Sequence, residues 1–105
     1  NDDDAQRWRP ALGTVRNLLT DVGKDKVQIE IVVYGPAIHM LRFDSVVGSQ
    51  LTDLAADGVW LRACGNSMAA HKLKPGDLHP SVEIVPSGVV EILKRQKEGW
   101  VYIKP

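Results

Sequence analysis

The sequence has a single cysteine, Cys64, and no excess of charge of either sign. One cysteine cannot form a disulfide within the chain, and it cannot supply a thiolate zinc cluster alone. Thirteen Lys and Arg residues balance thirteen Asp and Glu residues, which argues against a nucleic-acid-binding protein that neutralises phosphates. No apolar run approaches the roughly 20 residues that a membrane-spanning helix needs. The composition therefore predicts neither nucleic acid nor a membrane as a partner.

The sequence also lacks a signal peptide, a glycine-rich phosphate loop and a Ser-His-Asp arrangement. No spacing links its three histidines as metal ligands. We therefore expect no metal and no cofactor. The low cysteine content suits a reducing compartment, so a cytoplasmic location is expected, or a periplasmic one if a leader was removed ahead of Asn1.

The length and the apolar content predict one domain that spans residues 1–105. A chain of 105 residues, 44% of them hydrophobic, is enough for one compact core and too short for two. Apolar residues at helical spacing between Trp8 and Val22 predict a first helix, with Pro10 in its first turn. Further helices are predicted after Ser45, over 68–73 and from Val89 to near Gly99, with a short helical turn over 37–43. Runs rich in β-branched or aromatic residues predict four strands, at 27–34, 59–63, 82–85 and 100–103.

This alternation of helices and strands predicts an α/β fold with three layers, in which a mostly parallel sheet lies between helices. The chain opens on an acidic cluster, Asn1–Asp4, which is typical of a helix N-terminus. In an alternating fold such a cluster follows a strand. We therefore expect a fifth strand upstream of Asn1, in addition to the four that the sequence contains.

Three loops follow predicted strands, and the carboxyl ends of parallel strands share one edge of a sheet, where ligands bind. The loops are Gly35-Pro36, Cys64-Gly65-Asn66 and Pro86-Ser87-Gly88. Each contains small or turn-forming residues that let the backbone approach a ligand closely. The predicted ligand-binding residues are Gly35, Pro36, Gly65, Asn66, Ser67, Ser87 and Gly88.

Cys64 is the candidate catalytic residue at this edge. It precedes a helix that Ser67 is expected to cap, and a helix N-terminus favours a thiolate over a thiol. We expect Cys64 to be partly accessible, since an accessible thiol there could react whereas a buried one would only fill space. His71 is the first candidate for a proton partner and His39 the weaker one, and each could instead be a solvated surface residue. His79 is expected to point to water.

Other polar groups have simpler interpretations. Asp2, Asp3 and Asp4 could act as acids or bases, but helix capping explains them without further assumptions. The segment Lys94–Lys97 is expected to form a solvated helix face. The tryptophans are far apart in the sequence and show no pattern for cation binding.

Three segments resemble the DsrE/DsrF-like family, and in particular its branch with a Cys-Gly-Asn-(Ser/Thr)-Met motif. They are, in order, "VVYGPAIHML", "GVWLRACGNSM" and "PSGVVEILKRQKEGWVYIKP". The resemblance implies an α/β/α domain with a parallel five-stranded sheet that associates into trimers or hexamers. It also implies a function, because relatives carry persulfide sulfur on a cysteine, which matches Cys64 here, and pass it between proteins in sulfur oxidation or tRNA thiolation.

Two functional hypotheses follow. In the first, the protein is a sulfur carrier that holds persulfide sulfur on Cys64 and exchanges it with donor and acceptor proteins. In the second, it is a non-catalytic, oligomeric binding module whose strand-end pocket holds a small ligand or a partner, and Cys64 only lines that pocket.

Overall fold

The computed structural model describes residues 2–104, with side chains from Asp4 onward. It confirms the alternation of helices and strands. The four helices are α1 (Asp2–Val22), α2 (Gly48–Ala56), α3 (Gly65–Ala70) and α4 (Gly88–Lys97). The three strands are β1 (Glu30–Val33), β2 (Trp60–Cys64) and β3 (Val82–Val85), and two 3-10 helices cover Gly35–Leu41 and Pro75–Asp77.

The three strands form one parallel sheet in the order β1-β2-β3. The α/β class and the parallel sheet are therefore confirmed. The fourth predicted strand, 100–103, is wrong, because in the described part of the chain this segment pairs with no strand. The backbone N–H of Trp100 donates to the carbonyl of Arg95 at 3.0 Å, which holds the segment against the end of α4 instead of along a strand edge.

The outer edge of β1 is where the expected upstream strand would pair. Strand β1 is hydrogen-bonded to β2, and no second strand among residues 2–104 pairs with its other edge. An upstream strand is compatible with this open edge, and it stays a prediction.

The apolar core lies on the face of the sheet that α1 and α2 cover. Side chains alternate between the faces of a strand, and Ile31, Val33, Leu61 and Ala63 point to this side. They pack with residues of α1, α2, α3 and the connecting segments. The fully buried members are Leu12, Ile38, Leu41, Leu51, Leu54, Leu61 and Val47.

The opposite face of the sheet is polar and is covered by α4. Its strand residues include Glu30, Trp60 and Arg62, and Cys64 lies at its carboxyl end. In helix α4 the charged side chains of Glu91 and Arg95 face the sheet, whereas Val89, Val90 and Leu93 face solvent. The exposed fractions are 60% for Val89, 60% for Val90 and 51% for Leu93.

The predicted start of α2 is wrong, and so is the predicted position of Pro10. Helix α1 begins at Asp2, within the acidic cluster expected at a helix N-terminus, so Pro10 lies inside the helix rather than in its first turn. Helix α2 begins at Gly48, with Val47 as its N-cap. The hydroxyl of Ser45 instead accepts a hydrogen bond from the N–H of Val47 at 3.3 Å, which closes a turn before the helix. None of the helices in residues 2–104 combines the length and apolar character needed to cross a membrane.

Candidate functional site at the strand ends

The three predicted loops meet at the carboxyl edge of the sheet. The N–H of Gly35 donates to the hydroxyl of Ser67 at 2.7 Å, which joins the first loop to the second. A Cβ placed at Gly65 would lie 3.1 Å from the carbonyl oxygen of Val85, and one at Gly88 would lie 3.1 Å from the Cβ of Cys64. Backbones this close require glycine. The site is therefore tightly packed around the thiol.

Cys64 is both the last residue of β2 and the N-cap of α3. Its backbone is extended, with φ −71° and ψ 117°, and its Sγ accepts a hydrogen bond from the N–H of Ser67 at 3.4 Å. The prediction that Ser67 caps this helix is therefore wrong. The helix begins three residues earlier than expected, so the thiol takes the capping role and leaves the Ser67 hydroxyl free to bind Gly35.

The surroundings of Cys64 favour its thiolate. Burial alone raises the pKa of the thiol, but hydrogen bonds from the Ser67 side chain and from the backbone N–H groups of Gly88, Ser67 and Asn66 outweigh it, so the pKa lies below its usual value. Hydrogen bonds to the charged form stabilise that form. The N-terminal ends of α3 and α4 thus both contribute to the environment of the sulfur.

Cys64 is buried, with an exposed fraction of 5%. The expected partial accessibility is therefore wrong. The reason is that the first residue of α4, Gly88, packs directly over the cysteine, beside Tyr34 and Val32. Cys64 is also separate from the apolar core cluster, because it points to the polar face of the sheet.

The two candidate proton partners contact each other. Nε2 of His39 lies 3.3 Å from Nδ1 of His71, and their rings meet edge to face. His71 is the C-cap of α3, whereas Cys64 is its N-cap, so about 10 Å of helix separates them. The pair therefore ties α3 to the Gly35–Leu41 segment, and its role as a proton partner of Cys64 stays a prediction.

His79 does not point to water as expected. It is buried, its Nδ1 accepts from the N–H of Ser81 at 3.1 Å, and its Nε2 lies 2.9 Å from the hydroxyl of Thr52. Because Nδ1 accepts, Nε2 carries the proton and donates to Thr52. The histidine therefore links the segment before β3 to α2.

The remaining candidates have structural roles in addition to any chemical one. Ser87 is the N-cap of α4, and its hydroxyl accepts from the N–H of Val90 at 3.4 Å. Asn66, two residues after Cys64, and Pro36, in the first loop, are exposed. Asp4 contacts Arg7 at 2.7 Å, and the side chains of Asp2 and Asp3 lie outside the described part of the chain.

The model of the DsrE/DsrF-like family matches residues 6–105. The chain belongs to the DsrE/DsrF-like family. Among solved structures it resembles a protein of unknown function from Methanobacterium thermoautotrophicum, MTH1491, with 39% sequence identity and a TM-score of 0.92. That match covers 98% of this chain and 91% of the other. No curated protein matches the sequence.

Sequence reasoning missed a cluster of charges in this DsrE/DsrF-like protein, which we call the α4 charge cluster: Glu30, Arg62, Glu91 and Arg95. The side chain of Glu30 is only 3% exposed, and Arg95 Nε lies 3.3 Å from its Oε1. Arg95 Nη2 lies 3.1 Å from Glu91 Oε2, and Arg62 Nε lies 3.5 Å from Glu30 Oε2. The expectation of a solvated face at Lys94–Lys97 is therefore wrong for Arg95, because α4 turns this side chain toward the sheet.

Two tryptophans complete this cluster. Arg62 and Arg95 lie over the ring of Trp60, with guanidinium carbons 5.0 and 5.4 Å from its centroid. Trp100 contacts both Arg95 and Trp60. The expectation of no cation-binding pattern is therefore wrong, because the fold brings together residues that are distant in sequence. The available signal was a single charge in each of the runs "VQIEIVVY" and "VWLRA".

The two acids of the cluster share a proton. Burial and then the hydrogen bond with Glu91 raise the pKa of Glu30 to about 7, although Arg95 opposes this. The same hydrogen bond holds the pKa of Glu91 below its usual value. Two carboxylates in contact resist double ionisation, so Glu30 keeps its proton toward neutral pH and donates it to Glu91.

Two surface cavities lie away from the strand ends. One, of about 470 Å³, runs along the outer side of α4 between Val90, Leu93 and Lys97. The other, of about 140 Å³, lies between α1 and α2. Across residues 2–104, no group of three or more His, Cys, Asp or Glu side chains is placed to hold a metal ion.

Proposed function

We propose that this protein carries sulfur as a persulfide on Cys64 and passes it to a partner. The observation that carries the proposal is the hydrogen-bonded thiol at the strand ends, which has a lowered pKa and receives N–H groups from two helix N-termini. We place the chain in the family branch with the Cys-Gly-Asn-(Ser/Thr)-Met motif, on Cys64–Met68, and treat residues 1–105 as one domain of that kind.

The transfer consists of two displacements at sulfur. The Cys64 thiolate attacks the terminal sulfur of a donor persulfide, the donor S–S bond breaks, and the donor leaves as a thiolate with the electron pair. An acceptor thiolate then attacks the terminal sulfur on Cys64 and releases the Cys64 thiolate. In each step one S–S bond forms and one breaks, so the transferred sulfur keeps its oxidation state and no outside oxidant is needed. The N–H groups of Gly88, Ser67 and Asn66 stabilise the negative sulfur in both steps.

The test is the intact mass of the protein after incubation with glutathione persulfide. We expect a gain of one sulfur atom on the folded protein, and Cys64→Ser should prevent it. Ser67→Ala keeps the thiol but removes the hydroxyl that donates to it, so it should slow the gain by about tenfold at neutral pH. An adduct that forms only after unfolding in urea would contradict the proposal.

The burial of Cys64 favours a second candidate function. With 5% of the residue exposed and Gly88 packed against it, the cysteine could be a packing residue of a non-catalytic, oligomeric binding module. The strand-end residues would then hold a small ligand or a partner. This candidate expects no sulfur on the folded protein under any concentration of the donor, so the same mass measurement separates the two functions.

We further propose that the chain self-associates, as a trimer or a hexamer, through the outer side of α4. Its exposed apolar residues, Val89, Val90 and Leu93, continue toward a C-terminal segment in which Val101 is 85% and Ile103 is 63% exposed. Exposed apolar patches of this kind mark contact surfaces, and a second copy supplies a matching one. The sulfur donor and acceptor would be further partners.

Light scattering tests the self-association. The unmodified protein should form an oligomer at micromolar concentration, and Leu93→Asp should shift it to the monomer. Phe43→Asp is the matched control, because Phe43 is also an exposed apolar residue, at 61%, and lies outside α4. A monomeric unmodified protein, or equal effects of the two variants, would contradict an interface on α4.

A further inference from the structure

Helix α4 connects the thiol to the buried acids within one turn. At its first residue, Gly88 packs so closely on Cys64 that a Cβ there would lie 3.1 Å from the Cβ of the cysteine, and its backbone N–H lowers the pKa of the thiol. Three residues later, Glu91 meets Glu30 and Arg95 beneath the helix. Since a helix turn is nearly rigid, a change in how Glu91 contacts the sheet moves Gly88 relative to the sulfur.

Strand β2 provides a second connection. Arg62 lies two residues before Cys64 on the same face of the strand. Its Nε lies 3.5 Å from Oε2 of Glu30, and its Nη1 lies 3.5 Å from Oε2 of Glu83. The charge on Glu30 therefore acts on a residue two positions before Cys64.

The charges around the acids come from every element packed against them. Strand β1 contributes Glu30, β2 contributes Arg62, and β3 contributes Glu83 through its contact with Arg62. Helix α4 contributes Glu91, Arg95 and Glu98, and the charge of Lys94 also acts on Glu91. With one shared proton, the acid pair carries a single negative charge between two guanidinium groups.

We propose that Glu30 and Glu91 are positioning residues that make the reactivity of Cys64 depend on the proton they share. The proposal rests on Cys64 being the reactive group of the proposed function. With the proton present, Glu30 donates to Glu91 and holds the first turn of α4 against the sheet, so that Gly88 donates to the sulfur. When the proton is lost, the two carboxylates repel each other, the turn moves outward, and the thiolate loses this donor.

The Glu30–Glu91 pair loses its shared proton near neutral pH, because burial and the contact with Glu91 raise the pKa of Glu30 to about 7. Loss of the Gly88 hydrogen bond raises the pKa of Cys64. The fraction of thiolate therefore rises less steeply with pH than it would for an isolated thiol.

The test is the rate of iodoacetamide labelling of Cys64 from about pH 5 to about pH 9, in the unmodified protein and in Glu30→Gln. The amide of the variant donates to Glu91 as the protonated acid does, but it cannot ionise. We expect equal rates near pH 5, a steep one-proton rise in the variant and a shallower rise in the unmodified protein. Near pH 8 the variant should label about threefold faster.

Glu83→Gln is the matched control. It removes a carboxylate that contacts the same arginine at the same 3.5 Å distance, but its side chain is 74% exposed and lies outside the pair, so its profile should match that of the unmodified protein. Superposable profiles for Glu30→Gln and the unmodified protein, or an equal change in Glu83→Gln, would overturn the proposal.

A second variant provides the same test if Glu30→Gln does not fold. Glu91→Gln places the amide on α4 instead and should give the same steep profile. Labelling does not require persulfide chemistry, so the two proposals fail separately. A shallow profile without a sulfur adduct rejects the carrier function alone, whereas an adduct with superposable profiles rejects the coupling alone.

Discussion

We expect Arg95→Ala to lower the free energy of unfolding both near pH 8 and near pH 5, with a loss about threefold larger near pH 8. The guanidinium group contacts both acids of the α4 charge cluster, Glu30 at 3.3 Å and Glu91 at 3.1 Å. Removing it leaves buried negative charge without its main partner. Loss of its contacts with Trp60 and Trp100 adds a further loss of stability, which does not depend on pH.

The pH dependence follows from the raised pKa of Glu30. An acid whose pKa is raised on folding, here from 4.5 to about 7, stabilises the fold below 4.5, and this stabilisation is lost as the pH rises through about 7. Near pH 5 the pair carries one negative charge, and near pH 8 it carries two. Arg95 therefore matters more at the higher pH.

Urea unfolding followed by circular dichroism at the two pH values measures this difference. Glu98→Gln is the control, because it removes the more exposed partner of Arg95, at 2.8 Å, and should change the free energy of unfolding by less than about 1 kcal/mol. An equal loss for Arg95→Ala at both pH values would show that the acids do not depend on this arginine.

Gly88→Ala should lower the free energy of unfolding by about 2 kcal/mol. The new Cβ would lie 3.1 Å from the Cβ of Cys64, 3.2 Å from that of Tyr34 and 3.3 Å from Cγ1 of Val32. Two of these atoms are fixed to strand or loop backbone, so they cannot turn aside, and α4 must shift. The better helix propensity of alanine offsets less than about 1 kcal/mol of this cost.

Gly13→Ala is the matched control for this substitution. Gly13 is also a helix glycine, inside α1, but a Cβ there would meet nothing within 4 Å. We expect this variant to be more stable by about 1 kcal/mol, from helix propensity alone. Urea unfolding of both variants should thus give changes of opposite sign, and a stabilising Gly88→Ala would show that the contact with Cys64 is not tight.

Much of the fold could be predicted from the sequence because local patterns specify it. Strand β3 lies where "VEIV" predicts it, and β2 is displaced by one residue. The prediction of a last strand is wrong because the N–H of Trp100 donates to the carbonyl of Arg95 and holds the segment at the end of α4, although its residues suit a strand. The predicted position of Pro10 is wrong because the apolar pattern from Trp8 to Val22 does not show how far α1 continues toward the N-terminus.

The candidate site could be predicted in outline but not in its contacts. The three loops meet as topology requires, since parallel strands end at one edge. The capping role of Cys64 instead of Ser67 depends on where α3 starts within a run of small residues. The α4 charge cluster depends on the rotation of α4 over the sheet, and its apolar residues suggested the opposite face. Only the packed chain determines which side of that helix is buried.

One face of the sheet is packed by apolar side chains and the other by charged ones, which implies that the two sides do not unfold together. The apolar core binds α1 and α2 to the sheet, while α4 is held mainly by ionic and aromatic contacts. Segments with few buried apolar contacts exchange their amide hydrogens through local openings that cost less than global unfolding. An opening confined to α4 would uncover Cys64 and leave the rest of the fold intact. The burial of the thiol is thereby compatible with the proposed transfer of sulfur to a partner.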